Sequence, residues 1–308
     1  MAGSGRGILR ARTQGVAESG LMPSLEIGMA VVDPRRLTAL STLSTLRVSD
    51  IADLLGDEAA TAMLPGDAAA SHLYFGSEFC EHLFPEREAL ERAAAVSQKL
   101  GLTLVVATPV ANDALLVRIG EAAAALPETA EILVNDWGVA SFLRAAYPQR
   151  RLVAGRQLAK MIKDPRLPSA AWMKPYSNSY STPGHRRLLE RLGIARIELD
   201  VPPFATPGLY EVADLALSVW APYAYVAKGR ICKIGSLRQE LPEKFAPGRP
   251  CHHECLGMYE LGVNASPSGI ASYARGNSLY YRHDAAMTEI VRDALEAGRV
   301  TRVVFSGV

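Results

Sequence analysis

HLYFGSEFCEHLFPEREALERAAAVSQKLGLTLVVAT, residues 72–108, contains two short apolar runs joined by a helical pattern. HLYFG (72–76) and LTLVVAT (102–108) are the length of buried strands, and each ends at Gly or a polar residue. Between them, PEREALERAAAVSQKLG (85–101) carries charged residues on one side and ends at Gly101, a plausible helix C-cap. This order predicts a strand–helix–strand unit with two parallel strands.

Similar apolar runs recur along the chain, with helical patterns at 112–126 and 185–193 between some of them. About eight strands in alternation with helices predict an α/β fold and favour a (β/α) barrel-like single domain over an open sheet. The other six runs are LEIGMAVV (25–32), EILVND (131–136), RLVAGR (151–156), ARIELD (195–200), LALSVW (215–220) and VTRVVFSG (300–307).

Composition limits the class of protein. The chain has 308 residues and a net charge of +1, so it lacks the basic footprint of a dedicated nucleic-acid binder, and nucleic acid is an unlikely partner. No apolar run is long enough to span a bilayer. Residues 1–22 have no secretory hydrophobic core and are expected to be a disordered tail before a domain at 23–308. We therefore expect a cytoplasmic protein.

A segment at about 228–270 differs from the rest, because it is rich in Gly and Pro and shows no clean period. It is expected to be a long irregular insertion, which is uncommon in a compact domain unless something holds it in place. The insertion carries Cys232, Cys251 and Cys255, whereas Cys80 follows the strand at 72–76. In a barrel, loops after the strand ends share one face, so the four thiols are expected at the same end of the molecule.

The cysteine spacing leaves three interpretations open. Structural zinc sites usually pair their ligands in short knuckles, whereas the only close pair here is C-x3-C. An iron–sulfur cluster tolerates varied spacing, because each iron takes a thiolate from its own direction. The third interpretation is that Cys80 is a small buried apolar residue and the others are incidental.

Several segments resemble one family. GSEFC around Cys80, preceded by LYF, is similar to the Y-x-G-x-x-x-C segment of UbiV-like proteins in the collagenase-like peptidase family U-thirty-two. AYVAKGRICKIGSL (224–237) resembles the family's region around its second cysteine, and the pair Cys251 and Cys255 resembles its closing C-x3-C. RGNSLYYR (275–282) resembles its G-N-x-L turn.

The resemblance implies a cofactor and a function. It implies a four-iron four-sulfur (4Fe-4S) cluster and a part in oxygen-independent hydroxylation, most likely of a quinone-precursor ring in ubiquinone biosynthesis. It further implies a homologous UbiU-like partner subunit, a small aromatic substrate and prephenate as oxygen donor. The cluster ligands it implies are Cys80, Cys232, Cys251 and Cys255.

Other functions stay open. Relatives in the family hydroxylate RNA bases, and some were first described as collagenases, although the chain has neither H-E-x-x-H nor G-x-S-x-G. A zinc-stapled scaffold without catalysis is a further alternative. The segment before GSEFC is also longer than in the family pattern, which leaves room for a different substrate.

Three residues at strand ends are candidates for binding substrate. Asn135 and Asp136 end EILVND, and Arg156 ends RLVAGR. An arginine at such a position can bind a carboxylate donor such as prephenate through two parallel hydrogen bonds. The alternative for each residue is a role in helix capping or at the rim of the barrel.

Overall fold

The computed structural model describes residues 25–172, 178–212, 214–229, 231–244, 251–262 and 269–307, without the side chains of residues 59 and 60. The tail predicted at 1–22 lies outside the described residues. Within the described residues, no helix is both long and apolar enough to cross a membrane.

Eight parallel strands form a closed barrel, which confirms the predicted α/β barrel fold. Each strand coincides with one of the eight apolar runs, and their order around the barrel is β1-β12-β7-β6-β5-β4-β3-β2. The barrel strands are β1 (Glu26–Val31), β2 (His72–Gly76), β3 (Thr103–Thr108), β4 (Glu131–Val134), β5 (Arg151–Ala154), β6 (Arg196–Leu199), β7 (Ala216–Ala221) and β12 (Arg302–Phe305).

The continuous apolar character of these runs follows from burial on both faces of the barrel wall. In β3, Val105 belongs to the cluster inside the barrel, and its neighbour Val106 packs in the larger cluster under the helices. Since successive side chains of a strand point to opposite faces, both must be apolar. An alternating pattern would appear only if one face met solvent.

Helices surround the barrel, and their ends follow local sequence signals. Gly101 ends α4 in the left-handed conformation with φ 69, as expected. Asn112 caps the start of α5 by accepting a hydrogen bond from the N–H of Leu115. The helices are α1 (Arg36–Ser41), α2 (Val48–Leu55), α3 (Glu58–Thr61), α4 (Arg87–Leu100), α5 (Asp113–Ala125), α6 (Trp137–Ala146), α7 (Pro183–Arg191) and α8 (Ala285–Glu296).

The segment expected to be irregular contains antiparallel strands. They form a four-stranded sheet in the order β8-β11-β10-β9, inserted between β7 and α8. The insertion begins earlier than expected, at Tyr223 instead of about residue 228, because β8 starts directly after Pro222, where β7 has ended. The strands are β8 (Tyr223–Lys228), β9 (Glu260–Leu261), β10 (Ser272–Arg275) and β11 (Ser278–Arg282).

A buried arginine holds the N-terminal end of the barrel together. The guanidinium of Arg302 on β12 donates to Glu26 of β1 at 2.7 Å, to Glu131 of β4 at 2.7 Å and to the Tyr74 hydroxyl of β2 at 2.9 Å. These bonds connect strands on opposite sides of the barrel. The chemistry-bearing residues at the other end, where the strands terminate, therefore project from a rigid frame. We call that end the barrel mouth.

Candidate metal centre at the barrel mouth

The four cysteines come from three separate segments. Cys80 follows β2, Cys232 follows β8, and Cys251 and Cys255 precede β9. All four are free thiols; Cys80 and Cys255 are buried, and the other two are partly exposed. Cys80 and Cys255 line the same pocket at the barrel mouth.

The pKa values of two thiols depend on the other cysteines. The pKa of Cys80 is raised to about 11, mainly by burial and in smaller part by Cys251 and Cys232. The pKa of Cys255 is raised to about 12, again mainly by burial, with contributions from Cys232, Cys80 and Cys251. Negative charge on Cys80 and Cys255 is therefore disfavoured by burial and by the other cysteines. A cation shared among them would remove that penalty.

Backbone N–H groups point at two of the sulfur atoms. Gly235 donates to the Sγ of Cys232 at 3.2 Å, and His253 donates to the Sγ of Cys251 at 3.4 Å. Such bonds stabilise a thiolate and tune the reduction potential of a cluster that it binds. Thiolates are the ligands of iron–sulfur clusters and of structural zinc sites, and two of the four thiols here have such N–H support.

The arrangement does not form a site for one ion. Among the residues described, no group of three or more His, Cys, Asp or Glu side chains is placed to hold a single metal ion. A single zinc requires four ligand atoms on one centre at about 2.0 to 2.3 Å. A cluster separates its thiolates, because each binds a different iron. His252 and His253, the possible nitrogen ligands, are exposed.

Four charged side chains form a buried network, and two of them, Glu78 and Arg156, line the same pocket as Cys80 and Cys255. The guanidinium of Arg156 contacts Glu78 at 2.5 Å and Asp200 at 2.8 Å, and Asp200 also binds the ammonium of Lys163. Arg156 additionally stacks over Trp220, with its guanidinium carbon 4.0 Å from the ring centroid. The alternating charges sum to zero, which is how four ionised groups can remain buried.

The pKa values within the network follow from burial and from these partners. Burial lowers the pKa of Lys163 to about 8, although Asp200 opposes the shift. Burial alone would raise the pKa of Asp200, but Lys163 and Arg156 hold it below its ordinary value. Burial raises the pKa of Glu78 despite Arg156. Glu78 is therefore the more weakly stabilised carboxylate of the two.

The network and its neighbours position the segment that carries Cys80. The amide of Gln157 donates to the carbonyl of Glu78, and the amide of Asn277 donates to the carbonyl of Phe79 at 2.9 Å. The Ser77 hydroxyl accepts the N–H of Cys80 at 3.2 Å. Cys80 therefore has a fixed backbone, which is a requirement for a preorganised ligand.

The three residues predicted to bind substrate all make hydrogen bonds within the protein, and their part in substrate binding stays a prediction. Four of the five N–H groups of the Arg156 guanidinium donate to Glu78, to Asp200 or to the carbonyl of Tyr223, so its charge is already paired with two carboxylates. Asn135 is buried and donates to the carbonyl of Thr108 at 3.1 Å.

Asp136 is the N-cap of α6 and accepts the N–H of Gly138 at 2.6 Å. Asn135 also accepts the N–H of Gln157 at 3.2 Å, which links the segments after β4 and β5. These contacts match the capping alternative for Asp136 and give Asn135 a bracing role.

The pocket at the barrel mouth has an enclosed volume of about 90 Å³. Pockets that enclose a whole drug-sized ligand measure about 300 to 1,000 Å³, so this one takes in only part of a ligand. Its wall includes two of the cysteines together with Arg36, Trp220, Arg275 and Tyr280. Sequence reasoning missed Arg36, Arg275, Lys163 and Asp200; only Asp200 carried a signal, as the polar end of ARIELD.

Comparisons with known proteins show only distant structural neighbours. Neither the protein-family models nor the curated protein sequences gave a match. The chain is similar to the C-terminal domain of a protein predicted to be a chitinase from Desulfitobacterium hafniense, at 8% identity and a TM-score of 0.39, covering 92% of this chain and 93% of that one.

Two further neighbours are similarly distant. An arginine decarboxylase from Paramecium bursaria Chlorella virus is 10% identical with a TM-score of 0.35, over 92% of this chain and 58% of that one. A class V chitinase from Nicotiana tobaccum is 10% identical with a TM-score of 0.33, over 92% of this chain and 93% of that one. With TM-scores this low, the barrel assignment depends on the strand topology itself.

Proposed function

We propose that this chain is an iron–sulfur protein that takes part in oxygen-independent hydroxylation. Its 4Fe-4S cluster is held by Cys80, Cys232, Cys251 and Cys255. The observation that supports the proposal is that two of the four free thiols, Cys80 and Cys255, line one pocket at the barrel mouth and that Cys232 and Cys251 contribute to the raised pKa of both.

The cluster, when bound by four thiolates, supplies electron transfer rather than an open coordination site. The chain's own residues supply the rest. The Gly235 and His253 N–H groups stabilise thiolate charge, and the Glu78–Arg156 pair fixes the segment of Cys80. Because Cys80 and Cys255 both line the pocket, a ligand bound there lies next to the cluster.

The substrate and partner of the proposal come from the sequence resemblance. The substrate is a quinone-precursor ring, prephenate is the oxygen donor, and a homologous subunit completes the site. The small enclosed volume of about 90 Å³ supports a second subunit as part of the binding surface. A cytoplasmic location is part of the proposal.

Metal analysis of anaerobically purified full-length protein tests the cluster. We expect a brown protein with about four irons and four sulfides per chain. Cys251→Ala should lose most of the iron, whereas His252→Ala, an exposed neighbour, should retain it. A colourless protein carrying zinc, or an iron content that Cys251→Ala leaves unchanged, would overturn the cluster.

Hydroxylation is tested separately. Anaerobic incubation of the cluster-loaded protein and its homologous partner with a quinone precursor and prephenate should give a product heavier by one oxygen atom. Mass spectrometry with isotopically labelled prephenate follows the source of that atom. A loaded complex that gives no oxygenated product would contradict the hydroxylation role and leave the cluster in place.

A further inference from the structure

The side chains that line the mouth pocket carry more positive than negative charge. Two of them are carboxylates, and each already has an arginine partner. Asp33 accepts from Arg35 at 2.7 and 2.9 Å, and Glu78 accepts from Arg156. Two further arginines line the pocket and remain to be accounted for.

Arg36 and Arg275 contact only backbone carbonyls within the described residues. Arg36 donates to the carbonyl of Leu54, and Arg275 donates to the carbonyls of Cys255 at 2.8 Å and Gly307 at 3.4 Å. Neither makes an ion pair within the part of the chain that the structure describes. A carbonyl orients a guanidinium without neutralising its positive charge. Arg36 also helps to lower the pKa of Asp33, but that carboxylate is already paired with Arg35.

The two arginines line the pocket from different parts of the fold. Arg36 begins α1, after β1, and Arg275 ends β10 in the inserted sheet. Leu55 follows the residue whose carbonyl Arg36 contacts, and its side chain packs against Gly307. Arg275 contacts the carbonyl of the same Gly307. Their remaining N–H donors are held in place by the carbonyl contacts, which reduces the entropy lost on binding an anion.

We propose that Arg36 and Arg275 form a subsite for the carboxylate of a small organic acid. The subsite rests on the proposed function, since it makes the mouth pocket the place where that acid lies beside the cluster. A carboxylate matches the planar guanidinium with two parallel hydrogen bonds. An enclosed volume of about 90 Å³ suits such a group, with the rest of the molecule extending outward.

Arg275 has a second possible use, which Arg36 does not share. Arg275 lies near Cys255 and favours its thiolate, so its charge also offsets that of a bound cluster. Arg36 contacts none of the four cysteines within the described residues. A substitution of Arg36 therefore tests carboxylate binding without removing a charge that supports the cluster.

Calorimetric titration of the full-length protein tests the subsite, with succinate and benzoate as probes and their amides as neutral controls. We expect at least one carboxylate to bind and its amide not to bind. Arg36→Gln and Arg275→Gln should each weaken that binding about tenfold, the loss expected for a charge-assisted hydrogen bond. Arg92→Gln, on the exposed face of α4, removes the same charge and should have no effect.

Iron content and thermal unfolding are measured on the same samples. If Arg36→Gln folds, keeps its iron and binds the carboxylate as the parent does, the subsite is overturned while the cluster stands. Equal binding of acid and amide, or of neither, also overturns it. Carboxylate binding that depends on Arg36 in an iron-free protein supports the subsite and contradicts the cluster.

Discussion

The guanidinium of Arg156 meets the carboxylate of Asp200 at 2.8 Å, at a point where both side chains are almost completely buried. The contact joins the segment after β5 to the end of β6 and places a positive charge in the wall of the pocket that Cys80 and Cys255 also line. Because Glu78 binds the same guanidinium, the charge of Arg156 is balanced within the protein and the residue braces the barrel mouth. Arg36 and Arg275 line the same pocket and make no ion pair within the described residues.

Breaking the Arg156–Asp200 pair should lower the free energy of unfolding. Asp200→Asn removes the negative charge shared by Arg156 and Lys163, and leaving buried charges unpaired costs about 3 to 5 kcal/mol. Urea unfolding measures the loss. Adding Lys163→Met should recover part of it, because the unpaired ammonium is then absent.

A surface pair provides the control for that measurement. Glu289→Gln breaks the exposed pair with Arg292 and should change the free energy of unfolding by less than about 1 kcal/mol. Equal effects at Asp200 and Glu289 would contradict a buried network with paired charges.

Gly155 is required because the side chain of Asn135 lies too close to its Cα to leave room for a Cβ. A Cβ built there overlaps the side-chain amide of Asn135. Gly155→Ala should therefore displace Asn135 from its bonds to Thr108 and Gln157 and destabilise the protein by about 1 to 3 kcal/mol.

A double variant identifies the cause. In Gly155→Ala with Asn135→Ala the overlap disappears, so the combined loss should be smaller than the sum of the two single losses. Gly184→Ala, where a Cβ meets nothing within 4 Å, should be nearly neutral. Strict additivity at positions 135 and 155 would refute the steric explanation.

His283 should make the protein sensitive to acid. Burial lowers its pKa from 6.5 to about 4, so the folded state binds this proton less tightly than the unfolded state. The contribution of neutral His283 to the free energy of unfolding is complete above about pH 6.5. It is lost as the pH falls toward 4, by about 3 kcal/mol at most.

His283→Phe tests this contribution. Neither ring nitrogen has a hydrogen-bond partner within the described residues, so a phenyl ring loses no bond. The variant should retain its stability at neutral pH to within about 1.5 kcal/mol and lose less on acidification. Exposed His252→Gln is the control. Parallel pH curves for the variant and the parent would exclude His283 as a cause.

Glu198 should make the protein less stable as the pH rises, which is the opposite of the effect of His283. It is fully buried inside the barrel and accepts hydrogen bonds from the Tyr74 hydroxyl at 2.6 Å and from the Trp220 indole. Burial raises its pKa from 4.5 to about 7, so the folded state binds this proton more tightly. The group's contribution is complete below about pH 4.5 and is lost as the pH rises through 7, by about 3 kcal/mol at most.

Glu198→Gln removes the titration. Relative to the parent, the variant should gain stability as the pH rises from about 5 to about 8, and urea unfolding at several pH values follows the difference. A constant difference across that range would show that Glu198 does not change its protonation state on folding.

The insertion shows what periodicity misses. Its strands pair residues far apart in the chain, such as Tyr225 with Tyr280, and some are only two to five residues long. No local pattern marks such a sheet, because cross-strand partners decide whether a short polar segment becomes a strand.

The sequence alone determined the barrel and the end at which the cysteines lie. Apolar runs buried on both faces specify parallel strands, and parallel strands place all their following loops at one end. Only the tertiary structure decided which charged side chains form ion pairs. Nothing in the sequence distinguishes Arg156, which is paired with Asp200, from Arg36 and Arg275, which within the described residues donate hydrogen bonds only to backbone carbonyls. Which arginine is neutralised depends on which carboxylates the closed barrel brings within hydrogen-bonding distance, and that is a property of long-range contacts.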